Sequence, residues 1–165
     1  MGAETEMQVG SVALGVVGLW VALAIAIVLA WARPISALTL RAAIPTALIA
    51  LTIQAVHFAE EFATGFHAKF FPMLGQQAWS SELFVGFNAA WLAAWSLAIA
   101  AAGAERATFL ASVLLLFLAI AATANGIAHP ALAIAALGYF PGLITAPLLG
   151  IAGLVLWRKL KPYLL

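Results

Sequence analysis

Five apolar stretches, each about long enough to cross the hydrocarbon core of a bilayer, leave this chain few ways to fold. They run from about Ser11 to Ala32, Arg41 to Phe62, Glu82 to Ala102, Ala107 to His129 and Pro141 to Trp157. A spanning helix needs roughly 20 such residues for about 30 Å of hydrocarbon. Helix is the expected form, because a lone strand in lipid leaves its backbone donors and acceptors unpaired. Pro45 is tolerable near the start of the second helix, where a missing N–H matters least. Composition points the same way. Of 165 residues, 66% are hydrophobic and 8% charged, with a mean hydropathy of +1.13, whereas soluble domains are roughly a quarter charged. The expectation is an all-α, single-domain integral membrane protein over residues 1–165, a five-helix transmembrane bundle.

The same composition excludes several classes of function. With no cysteine, no disulfide, thiolate zinc site or thiol redox pair can form. A net charge of +1 supplies no basic surface for nucleic acid. Glu4 and Glu6 precede the first stretch where a cleavable signal peptide carries positive charge, so that stretch reads as a span. Six of the seven lysines and arginines fall on one side of the alternating helices: Arg33, Arg41, Arg106, Arg158, Lys159 and Lys161, against Lys69 on the other. The positive-inside rule makes the first side cytoplasmic. The expected protein is therefore multi-pass in the cytoplasmic membrane, with its N-terminus outside and its C-terminus in the cytoplasm. Trp20, Trp31, Trp79 and Trp157 suit interfacial belts, and small residues such as Gly15 and Gly18 suit close helix contact.

This topology gathers the polar chemistry at one depth. His57, Glu60 and Glu61 end the second helix in HFAEE, and His67 follows in the outer loop. Asn88 starts the third helix on that side, and Asn125 and His129 finish the fourth. Ionisable side chains within a span are costly and mark functional sites. Three- and four-residue spacing places both glutamates beside His57 on one helical face, with Gln54 one turn away to orient the imidazole. Asn125 and His129 share a face in the same way, and Asn88, Trp91 and Trp95 make a polar-then-aromatic wall. Carboxylates at a helix C-terminus oppose the macrodipole, so capping alone is a poor account of the glutamate pair.

HFAEE, then NGIAH, then YFPGLITA resembles the HXXEE family of small integral membrane proteins, over roughly the second to fifth helices. The family pattern falls on His57, Glu60, Glu61, Asn125, His129, Tyr139, Pro141, Gly142 and Thr145. The resemblance implies the architecture and the site, and no reaction, because the family is uncharacterised.

The residues themselves point first to a metal-dependent enzyme, a hydrolase or oxidoreductase, acting on a lipid or other hydrophobic small molecule. Its metal ligands would be His57, Glu61 and His129, with Glu60 a further ligand or the catalytic base and Asn125 and Asn88 orienting groups. Imidazole with carboxylate suits zinc or iron. Three alternatives share the residues: a metal-free hydrolase using the glutamate pair, a proton, ion or small-molecule transporter working as a homo-oligomer, and a haem protein with His57 and His129 as axial ligands. The outer segment from Ala63 to Ser81 is too apolar for a solvated linker and too broken for a span. It is expected in the headgroup plane, either as a lid that offers Lys69 to an anionic substrate head or as a plain interfacial loop.

Overall fold

The computed structural model describes residues 16–106 and 108–160, which form six helices and no strand. These are α1 (Val17–Ala32), α2 (Ala37–Thr64), α3 (Phe66–Met73), α4 (Ser81–Gly103), α5 (Thr108–Ala135) and α6 (Ala146–Leu160). Three of them, α2, α4 and α5, are long and apolar enough to cross a membrane; α1 is a shorter apolar helix. The expected first span begins in residues 11–15, and residues 4, 6, 107 and 161 likewise lie outside the described part.

The helix limits follow from local chemistry. The Ser36 side chain accepts a hydrogen bond from the Thr39 N–H and starts α2 a turn earlier than its hydropathy does. Pro45 therefore lies inside the helix, beyond the first turn where it was expected. Gly65, at φ +80°, closes α2 in the left-handed conformation that a residue with a Cβ resists. Ser80 caps α4 through the Leu83 N–H. Helix α5 was expected to stop at His129 before Pro130, but it continues to Ala135 through a run of good helix formers. Conversely, α6 begins at Ala146, and the chain from Pro141 to Thr145 is a series of turns where helix was expected.

Helix α5 is the centre of the bundle, packed by α1, α2, α4 and α6. Its middle residues Leu115, Leu116, Phe117, Leu118 and Ala119 are wholly buried. It crosses α6 at glycines. A Cβ on Gly126 would stand 2.6 Å from Gly150 Cα, and one on Gly153 would stand 2.7 Å from the Thr123 nitrogen. Such backbone contact is the membrane form of tight helix packing. At one end of the bundle Arg41 pairs with Glu105, joining the start of α2 to the α4–α5 connection. At the other end the close of α2, the last turns of α5 and the turns before α6 converge.

Helix α3 was not foreseen as a helix. Phe71 stacks on Trp79 at 4.2 Å, and Phe66 lies 5.4 Å from the His129 ring, so α3 roofs that end of the bundle. Trp79, expected in an interfacial belt, is 3% exposed inside this aromatic packing. Lys69 is exposed on α3 and does not line the cavity beneath it.

Candidate metal centre

His57, Glu61 and His129 form a buried group able to hold a metal ion, with one ligand atom from each lying within 4.8 Å of the others. Their exposures are 0%, 7% and 2%, so bulk water does not solvate the carboxylate. Glu61 Oε1 is 3.5 Å from His57 Nε2 and 3.2 Å from His129 Nε2. The two rings meet edge to face with centroids 4.6 Å apart. That approach leaves no room for a macrocycle between them, which removes the bis-histidine haem expectation.

What lies behind each ring fixes its proton. His129 Nδ1 is 2.6 Å from the Pro141 carbonyl, which can only accept, so Nδ1 carries the hydrogen. His57 Nδ1 is 2.8 Å from Thr145 Oγ1. The Thr145 hydroxyl gives its own proton to Glu60 Oε2 at 2.6 Å, so its oxygen accepts from His57 Nδ1–H. With Nδ1 engaged behind each ring, both Nε2 atoms are directed at the region of Glu61. Two ring nitrogens and a carboxylate so placed need a cation among them, either a metal ion or a proton carried on Nε2. His57 Nε2 indeed has no hydrogen-bond partner.

Gly142 makes this packing feasible. It turns the chain at φ +86°, and a Cβ there would lie 2.5 Å from His129 Nδ1 and Cε1 and 2.9 Å from His57 Cε1. Both rings rest on the space a side chain would occupy.

Glu60 points elsewhere. Its carboxylate accepts hydrogen bonds from the Tyr139 hydroxyl at 2.7 Å, the Ile144 N–H at 3.0 Å, the Thr145 N–H at 2.8 Å and the Thr145 hydroxyl at 2.6 Å. It holds the turn that starts α6, where backbone N–H groups lack helical partners and favour a negative charge. Burial and then the Glu60 carboxylate push the Tyr139 phenol above its usual value, so it keeps the proton it donates. Glu60 is not in the metal group; its reach to His57 runs through Thr145. Sequence spacing on one helix cannot tell this from ligation, because adjacent residues diverge by about 100° around the axis.

The remaining expected residues divide. Asn125 and Asn88 line a cavity of about 280 Å³ that also reaches Glu61, His129 and Gln54. The Asn88 amide donates to the Phe84 carbonyl at 3.0 Å. Gln54 does not orient His57, a task that falls to Thr145; its Oε1 has no partner. His67 stands outside the metal group, with Nε2 3.3 Å from Ser81 Oγ and its ring stacked near Phe62 and Phe84. Trp91 and Trp95, the aromatic part of the wall expected on this helix, line the cavity. Thr145, Tyr139 and Gly142 were visible only as motif positions of the family resemblance. No protein-family model, curated protein or solved structure matches the chain, so its geometry alone carries the functional argument.

Proposed function

We propose that the protein is a membrane-embedded metalloenzyme whose single ion, held by His57, Glu61 and His129, acts on a hydrophobic small molecule in the adjoining cavity. One observation carries the reading: each imidazole has its Nδ1–H engaged from behind, so two Nε2 atoms and one carboxylate face the same buried point. Metal-binding histidines are oriented in this manner, by a carbonyl or a carboxylate-linked partner on the second nitrogen. An ion about 2.0–2.2 Å from each donor sets ligand–ligand edges of roughly 3.0–3.5 Å; the observed edges to Glu61 are 3.2 and 3.5 Å. Zinc and iron both suit two imidazoles and a carboxylate with positions left open.

Oxidation–reduction is favoured over hydrolysis. Hydrolysis on one ion wants a free carboxylate nearby as general base. Glu60, the obvious candidate, is committed to the Tyr139–Thr145 turn, and the other hydrogen-bonding side chains of the cavity are amides and indoles. A redox-active ion supplies electron transfer without such a base. A proton or ion path would need polar steps at other depths, and the buried middle of α5 is apolar.

We extend the membrane reading to five spans (α1, α2, α4, α5 and α6) in the cytoplasmic membrane, with the metal group near the outer surface and the C-terminus inside. The basic residues at the opposite end of the bundle support this. One chain supplies all three proposed ligands, so the site needs no oligomer. His57, Glu60 and Glu61, on which the likeness to the HXXEE family rests, would divide between ligation and turn anchoring.

Element analysis of the purified protein tests the proposal. Zinc or iron near one atom per chain is expected, and none in His57→Ala and His129→Ala variants that retain helical content. A wild-type protein that takes up neither metal after reconstitution would refute it. The cation would then be a proton, and the group an imidazolium–carboxylate pair.

A further inference from the structure

The cavity of about 280 Å³ beside Glu61 and His129 is small, just under the roughly 300–1,000 Å³ usual for small-molecule sites. It suits one substituted ring; a diacyl lipid exceeds it. One wall is aromatic. Trp91 and Trp95 stack with centroids 5.8 Å apart, and Phe117 meets them at 4.7 and 5.6 Å. Stacking geometry of this kind favours a planar guest.

Beyond Glu61, His129 and the indoles, the polar side chains of the cavity are amides from three helices: Gln54 of α2, Asn88 of α4 and Asn125 of α5. Polar groups without partners are costly in such surroundings. Yet Gln54 is 6% exposed with Oε1 unpaired, and Trp95 is 5% exposed with its Nε1–H unpaired. Asn88 gives one amide hydrogen to the Phe84 carbonyl. Gln54 is two helical turns from Glu61, about 10 Å along the axis. Hydrogen-bonding capacity therefore extends well beyond the metal end. Among the described residues no lysine or arginine lines the space, and Glu61 does. An anion away from the proposed ion would have no counter-charge there.

We propose that this cavity binds an uncharged planar ring carrying oxygen substituents at opposite positions, a quinone or its phenolic form, against Trp91, Trp95 and Phe117. One oxygen faces the metal end and the other faces the Gln54–Trp95 end. Indole and amide N–H groups donate to a carbonyl oxygen, and the amide oxygens accept from a phenol, so both forms find partners. This deepens the metalloenzyme reading by naming its substrate class, and binding itself does not require the ion.

Duroquinone is the probe, titrated into the protein in nanodiscs and followed by quenching of tryptophan emission, with metal and after chelation. Saturable quenching is expected. Durene, the same ring without oxygens, and laurate should each reverse the quenching only at concentrations at least tenfold above the half-saturation point of duroquinone. Trp95→Phe keeps the aromatic wall and deletes one donor; Gln54→Leu keeps the bulk and deletes the amide. Trp95→Phe should weaken duroquinone, and Gln54→Leu its hydroquinone, whose O–H the unpaired Oε1 accepts, by about tenfold each, the cost of one hydrogen bond in a dry site. Non-saturable quenching, equal competition by durene or laurate, or unchanged affinity in both variants overturns the inference. Saturable binding by a protein that never takes up metal would uphold it while the metalloenzyme reading fails; metal without quinone binding would do the reverse.

Discussion

At Gly142 the chain turns at φ +86° directly against both imidazoles. An alanine there adds left-handed strain of about 1 kcal/mol and drives a methyl into His129 and His57. Gly142→Ala is expected to cost about 1–3 kcal/mol, as overpacking does, and to lose metal at least tenfold, measured by thermal unfolding and Zn²⁺ titration. Thr145 is the second decisive residue, since its hydroxyl links Glu60 to His57. Thr145→Val deletes that link and leaves the backbone N–H bonds to Glu60. Metal affinity should fall about 10–100-fold, as for other groups that orient a ligand from behind. Thr145→Ser should restore it to within a few-fold in the same titration; equal affinity in the valine variant would refute the linkage. His57, Glu61 and His129 were legible because ionisable residues in apolar runs stand out. Thr145 and Gly142 were not, because a threonine and a glycine in an apolar segment give no chemical signal until the rings that touch them are placed.

Among the elements, the α5–α6 crossing governs the site, because α5 carries His129 and α6 follows the turn that bears Gly142 and Thr145. The crossing is set by glycine against glycine: Gly126 meets Gly150 so closely that a Cβ would lie 2.6 Å from the facing Cα and 3.2 Å from the Ala146 carbonyl. Backbone atoms cannot step aside as a flexible side chain can. Gly126→Ala should separate the helices, destabilise the bundle by about 1–3 kcal/mol and weaken metal binding in parallel, seen as a lowered thermal midpoint and a weaker Zn²⁺ titration. Wild-type behaviour in both would show that the contact is not decisive. Helices α2, α4 and α5 were readable in position from hydropathy, and their ends moved only where capping or proline chemistry intervened. Helix α3 escaped notice because eight residues that include three phenylalanines and a proline carry too little period to read. Its limits come from Gly65 and Gly75, both at positive φ.

For the whole molecule, the described basic residues Arg33, Arg41, Arg106, Arg158 and Lys159 lie at helix ends remote from His57 and His129, and Lys69 lies on the site's side. The chain has no cysteine, which makes single-cysteine labelling clean. In intact cells Lys69→Cys should react with an impermeant maleimide, and Arg158→Cys only after permeabilisation. The reverse pattern would invert the proposed orientation. The sequence by itself determined that the chain is helical and apolar enough for a membrane, and that its histidines and the Glu60–Glu61 pair fall toward one end of the helices and most basic residues toward the other, because hydropathy, charge placement and helical period are properties of residues in order. Only the tertiary structure decided which carboxylate joins the histidines. Glu60 and Glu61 are adjacent and chemically identical, and what separates them is the direction each faces: one toward the N-terminus of α6, the other toward two imidazole nitrogens brought there by α2 and α5.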